Sequence, residues 1–282
     1  MGSEIWWDFN QRYETDPVYV DYILHDDPNA EVLHLNWRDN PWFNETLRME
    51  KDSDYIRNEV EARHIWEGEL RNAGDMFVCP SELVDIAMNN DLALGDSLCV
   101  GADIAHQGGD EIIFYKRHGQ KVIDKYFSKY QGTLETVYDL IAFTGDGSIP
   151  INIDNGDIGK AVADLMDAKG FIANRINFGG NPEDLEHYED CVTEMYFNLR
   201  DLFPYIDIPS DEELRNQLIQ RKYDYIGGRR GYEVMKIESK KDFKKHAVGI
   251  NPSPDRADAL ALCFYKSGGI EIMQGLNYNV FN

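Results

Sequence analysis

Ser97-Leu98-Cys99-Val100-Gly101-Ala102-Asp103-Ile104 is an apolar run with a single acid near its end. A stretch of this length and content predicts a buried β-strand. An ionised carboxylate inside such a strand is costly unless it is paired or bound to a cation. Downstream, the loop His106-Gln107-Gly108-Gly109 leads into Glu111–Arg117 and Lys121–Phe127, which flank His118-Gly119-Gln120 and read as a hairpin continuing the sheet. Three antiparallel strands are the expected product.

The pattern then changes to helix and strand in alternation. Thr133–Phe143 predicts a helix, Pro150–Asp154 a strand, Ile158–Lys169 a helix and Phe171–Asn177 a strand. Pro182–Leu202 predicts an amphipathic helix, with Leu185, Tyr188, Val192, Met195, Tyr196 and Leu199 near 3.6-residue spacing. Ser253-Pro254, a capping residue followed by proline at the first helical position, opens a last helix to about Tyr265. The fold class is α/β, a mixed sheet covered by helices.

Upstream, residues 1–72 alternate strand-like pieces (Glu4–Phe9, Glu31–Trp37) with helical ones (Pro17–Leu24, Glu45–Glu67). Gly68 and the polar run Arg71–Asp75 mark a boundary. The expected organisation is a small α/β domain over 1–72, a linker over 73–97 and a larger domain over 98–282, the last separable by protease from about residue 98.

Composition narrows the function classes. In 282 residues, 28 Lys+Arg stand against 51 Asp+Glu, a formal charge of −23, while 43% hydrophobic and 12% aromatic residues argue for a globular chain rather than an acidic disordered one. No apolar run is long enough to span a membrane, and the N-terminus lacks the layout of a secretory signal. The four cysteines show no paired spacing, against a disulfide framework or a structural zinc. Excess acid disfavours phosphate binding overall, but residues 221–250 carry nine basic residues against four acids. That segment reads either as a solvated loop or as a guide for a DNA backbone, with Arg229, Arg230, Lys240 and Lys241 as the phosphate-contacting candidates.

Three acids fall at informative places. Asp103 ends the first strand of the sheet, Asp154 ends Ile151-Asn152-Ile153-Asp154, and Asp258 lies between Ala257 and Ala259, small neighbours that let a helix approach a sheet closely. Sites in open α/β sheets gather at the carboxyl ends of strands. Any one of these acids alone reads as a turn or cap residue. Together they resemble the ribonuclease H-like arrangement, in which acids from two strands and a late helix converge on divalent metals. Aspartates suit hard Mg²⁺ or Mn²⁺, and two such ions activate a water and stabilise a leaving phosphodiester oxygen. Asp110 is a weaker further ligand candidate and Asp157 weaker still, since each lies in a polar turn where water suffices. His106 reads as an exposed loop histidine.

The run Gly101-Ala102-Asp103-Ile104-Ala105 with Gly108-Gly109-Asp110-Glu111 resembles the opening nuclease motif of tailed-phage terminase large subunits. Ile153–Gly159 is similar to their second acidic motif and Ser253–Leu260 to their C-terminal one, while Met195–Asp201 resembles a helix of the family. Ser3–Trp6 with Phe9-Asn10, Asn36–Pro41 and His64–Glu69 resemble the closing stretch of the packaging ATPase, with Gln11 where the family usually has proline. No G-x-x-x-x-G-K-[ST] occurs in the chain.

The resemblance implies a ribonuclease H-like nuclease preceded by a remnant of a P-loop ATPase domain. It implies a two-metal (Mg²⁺ or Mn²⁺) endodeoxyribonuclease without ATPase activity, using Asp103, Asp154 and Asp258, that cuts concatemeric double-stranded viral DNA in the host cytoplasm and is absent from the mature virion. It implies portal protein and small terminase subunit as partners and no membrane. Two other readings stay open: another ribonuclease H-like nuclease such as a junction resolvase, and a non-catalytic packaging-assembly module or prophage remnant.

Overall fold

The computed structural model describes residues 5, 6, 8, 17–25, 28–57, 59–70, 76–104, 111–129, 132–228, 231–249 and 253–265. The chain divides into two compact units, Met1–Met76 and Phe77–Asn282. No described helix is long and apolar enough to cross a membrane.

The regular structure described in the first unit is helical. It contains a π-helical segment at Tyr19–Leu24, α1 (Glu45–Arg57), α2 (Glu59–Ala62) and a second π-helical segment at Arg63–Glu67. Trp37, Phe43 and Trp66 pack in sequence, with ring centroids 5.2 and 5.9 Å apart. Glu67 ties this cluster together by accepting hydrogen bonds from Trp37 Nε1, Tyr55 Oη and the Arg38 guanidinium. The expected strand at Glu31–Trp37 does not form: residues 31–36 have no ladder partner among the described residues, and Leu33 and Leu35 are exposed. Alternation supplies a face, but a strand also needs a neighbour to take its backbone groups. Of the strand expected over 4–9, only Ile5, Trp6 and Asp8 are described, and none is in a strand.

The second unit opens with α3 (Ser81–Asn89), inside the stretch expected to be a linker. The correction has a packing cause: Val78, Cys79, Val84 and Ala87 are buried in the unit's main core, Val78 N–H donates to Arg221 O, and Ile208 N–H donates to Ala87 O. The unit therefore starts near Phe77 rather than at residue 98.

Its sheet has the order β3-β2-β1-β4-β5, built from β1 (Leu98–Asp103), β2 (Ile112–His118), β3 (Lys121–Ser128), β4 (Ile151–Asp154) and β5 (Ala173–Ile176). β1, β2 and β3 are antiparallel, and β4 and β5 run parallel to β1. Strand alternation sorts the side chains between two cores. Val100, Ala102, Ile112, Phe114, Ile151 and Ile153 face α4 (Thr133–Thr144) and α5 (Asp157–Ala168). Ile113 and Tyr115 face the opposite core, which contains α3, α6 (Cys191–Leu202), α7 (Glu212–Ile219) and α9 (Asp255–Phe264). A two-stranded antiparallel ribbon, β6 (Tyr223–Gly227) and β7 (Glu233–Ile237), leads into α8 (Lys240–His246).

The helix expected over Pro182–Leu202 begins only at Cys191. Asp190 caps it by accepting from Thr193 N–H, and Glu194 accepts from the backbone of Glu183 and Asp184, which holds the preceding residues in a turn. The cap of α9 is also not the expected one. Ser253 donates to Asp255 Oδ1, and Gln217 Oε1 from α7 accepts the N–H groups of Arg256 and Ala257. All four cysteines are buried free thiols.

Candidate functional site

Alternation along β1 and β4 places Asp103 and Asp154 on the sheet face that α9 covers. Gly101 and Asn152 pair across the two parallel strands, as do Ala102 and Ile153, and both acids follow immediately at the carboxyl ends. Asn152 Nδ2 donates to Leu262 O of α9 at 2.8 Å, so the helix lies directly over this pair of strands. Gly101 makes that approach possible, because a Cβ there would stand 2.2 Å from Cys263 N and 2.4 Å from Ala259 O. Any larger residue would push the helix away. The same constraint holds below Asp154, where a Cβ on Gly159 would lie 1.9 Å from Asp154 O.

α9 brings Asp258 to this corner fully buried. Lys240, the first residue of α8, reaches into the acids: its Nζ is 2.8 Å from Asp258 Oδ2, 3.0 Å from Asp103 Oδ2 and 3.5 Å from Asp255 Oδ1. Asp255 is buried as well, and its Oδ2 accepts from Glu111 N–H. Asp154 lies beside the backbone of Asn155 and Gly156, which favours its charged form, and within the fields of Lys240 and Asp258. The structure thus brings together the three acids the sequence singled out, and adds a fourth acid and one cation.

Electrostatics follow from burial. Asp154 is pushed up to about 6, chiefly by burial, with Lys240 opposing and Asp258 adding to the rise. Asp103 is raised well above the usual carboxylate range, again mainly by burial and against Lys240, with Asp258 and Asp255 contributing. Burial works against the Lys240 ammonium, but Asp103, Asp258 and Asp255 more than offset it and hold the lysine charged.

Three carboxylates within 3.5 Å of one ammonium, with Asp154 in its field, are an all-oxygen donor set with excess negative charge, the chemistry of a Mg²⁺ or Mn²⁺ site. Asp258 Oδ2 is buried and faces the Lys240 ammonium at 2.8 Å. Such an oxygen suits a cation. Among the described residues, no three His, Cys, Asp or Glu side chains stand close enough to form a ready metal-binding group, and the Lys240 ammonium bridges Asp103 and Asp258 instead. The residues fit divalent ions in donor type, with the Lys240 ammonium standing where their charges converge.

Of the other candidates, His106, Asp110, Arg229 and Arg230 lie outside the described residues. Lys241 is exposed on α8, with Lys244 and Lys245 exposed on the same helix. Lys240 points into the acidic site rather than along a basic surface. Asp255 was legible in principle, since it precedes Asp258 by three residues and shares its helix face. Lys240 carried no local signal, because only the packing of α8 takes it there.

No protein-family model matches the sequence, and no curated protein matches it. The fold does have solved counterparts. A lysine-to-alanine variant of the nuclease domain of the large terminase subunit gp2 of bacterial virus Sf6, with manganese and beta-thujaplicinol, superposes with a TM-score of 0.58 at 15% identity, covering 68% of this chain and 99% of that one. The unsubstituted Sf6 nuclease domain gives 0.55 at 16% identity over 68% and 99% of the two chains. The large terminase nuclease of thermophilic phage G20c with bound magnesium gives 0.47 at 18% identity over 67% and 96%. At the Sf6 level of likeness, the mixed five-stranded sheet with its flanking helices is the ribonuclease H-like fold of large-terminase nuclease domains.

Proposed function

We propose that this chain is a metal-dependent endonuclease for double-stranded DNA, the cutting part of a phage terminase large subunit that resolves concatemeric DNA during packaging. The observation that carries the reading is the meeting of Asp103, Asp154 and Asp258 at the carboxyl ends of β1 and β4 and beneath α9, on a sheet of terminase-nuclease fold. Two Mg²⁺ or Mn²⁺ ions there would supply an activated water and stabilise the leaving oxygen of a phosphodiester.

Asp103, Asp154 and Asp258 are the residues that would hold the ions, and Asp110 is a further candidate. Burial fixes the directions of Asp103 and Asp258 and keeps bulk water from competing for their oxygens. Lys240 supplies their counter-charge in the metal-free chain. Lys241, together with Lys244 and Lys245, offers exposed positive charge on the helix that begins at Lys240, and Arg229 and Arg230 belong to the same basic segment. Phosphate contacts of this kind position a duplex without reading its sequence. In this reading the portal protein and the small terminase subunit are the assembly partners, and the work takes place in the host cytoplasm.

Incubating the purified chain with supercoiled plasmid tests the proposal. Nicked and linear products are expected with Mn²⁺ and none with excess chelator or with Asp103→Ala. Cutting that survives chelation would remove the metal mechanism.

A further inference from the structure

Asp258 divides its two oxygens between unlike neighbours. Oδ1 accepts a hydrogen bond from the Tyr196 hydroxyl at 2.5 Å, whereas Oδ2 faces the Lys240 ammonium at 2.8 Å. Both residues are fully buried, so no water competes for either oxygen. Rotating the carboxylate would break a buried, charge-assisted hydrogen bond and leave the phenol unpaired. Tyr196 comes from α6, which packs against α9 in the same core.

The tyrosine ring is itself supported. Arg221, only 2% exposed, places its guanidinium 5.5 Å from the Tyr196 ring centroid and 5.3 Å from that of Phe243, which belongs to the helix of Lys240. Its Nε and Nη1 have no hydrogen-bond partner among the described residues. A cation held between two aromatic faces in this way keeps α6 and α8 in fixed relation.

We propose that Tyr196 is a positioning residue of the metal centre, which fixes Asp258 so that Oδ2 is presented to the cation while Oδ1 stays committed to the phenol. The inference rests on Asp258 being a metal ligand. Groups that hydrogen-bond a metal ligand commonly change metal affinity by about 10–100-fold when removed.

Calorimetric titration of Mn²⁺ into the full chain, its Tyr196→Phe and Asp258→Asn variants and the double variant tests this. Tyr196→Phe is expected to unfold cooperatively like the wild type and to bind Mn²⁺ about 10–100-fold more weakly. In the Asp258→Asn background the same change is expected to cause no further loss, since its effect passes through the missing carboxylate. Wild-type affinity in Tyr196→Phe, or an equal loss with and without the Asp258 carboxylate, would overturn the proposal while leaving the metal site standing. Wild-type protein that binds no Mn²⁺, or Asp258→Asn that binds as tightly as wild type, would overturn the reading of the site and this inference with it. If Tyr196→Phe does not fold, a crystal structure of the wild type with Mn²⁺ decides. Tyr196 bonded to one oxygen of Asp258 and the ion on the other is expected; both oxygens on the ion and the phenol released would overturn it.

Discussion

Lys240 Nζ stands 2.8 Å from Asp258 Oδ2, so an ammonium occupies the middle of a corner otherwise built from acids. Its side chain is 37% exposed overall, yet its charged end also reaches Asp103. Asp103 and Asp258 are buried, and an uncompensated buried charge is costly. The lysine therefore stabilises the chain by supplying the counter-charge of this corner, the role that divalent ions would share under the proposed function.

Lys240→Ala is accordingly expected to destabilise the protein in chelator by about 1–3 kcal/mol, the range for stranding a buried polar partner. Added Mg²⁺ or Mn²⁺ is expected to close most of that gap. Melting temperatures of both proteins with and without the ion check this, and a deficit unchanged by the ion would contradict the counter-charge role.

The raised carboxyls give a pH dependence of fixed sign. Asp154, pushed up to about 6 mainly by burial, holds its proton more readily in the folded chain than in the unfolded one. Its contribution to stability is therefore most favourable below the ordinary carboxylate range and is lost as pH rises from that range through about 6. In chelator, Asp154→Asn is expected to be more stable than wild type at about pH 8 and to lose that advantage at about pH 4.5. Thermal melts at the two values check it; comparing variant with wild type removes the opposing effect of acids held low by ion pairs elsewhere, such as Asp85 and Asp167.

The unit boundary yields a prediction about fragments. A chain beginning at Phe77 is expected to fold and melt cooperatively, because it retains α3. A chain beginning at Leu98 loses the buried side chains of Val78, Cys79, Val84 and Ala87 and is expected to be destabilised by about 5 kcal/mol or more, taking about 1.5–3 kcal/mol for each larger apolar side chain. Circular-dichroism melts of the two fragments distinguish these outcomes, and a stable fragment from Leu98 would mean that α3 is dispensable.

The five sheet strands were legible because each carries apolar or β-branched residues between turn signals, and β1 and β4 carried Asp103 and Asp154 at their ends in plain view. Asp258 stood out through its small neighbours, but Gly101, the residue that receives the helix, looked like any glycine in a strand. What stayed hidden is non-local. Periodicity ran the α6 helix back to Pro182 because it does not register Glu194 accepting backbone hydrogen bonds from the preceding turn. Ser253 looked like the cap of α9, yet Gln217 supplies it from another helix. Lys240 and Arg221 sat in a run of positive charge, and only packing sends the first among the carboxylates and the second between two rings.

Cleavage of supercoiled plasmid in Mn²⁺ by Asp103→Asn, Asp154→Asn and Asp258→Asn, each first shown to melt cooperatively, tests the central claim most directly. The shape of the site is kept and only a carboxylate charge is lost, so each variant is expected to cut at least about 100-fold more slowly than wild type, as for a group at the reacting centre. Wild-type cutting by any one of the three would contradict a site built on all of them.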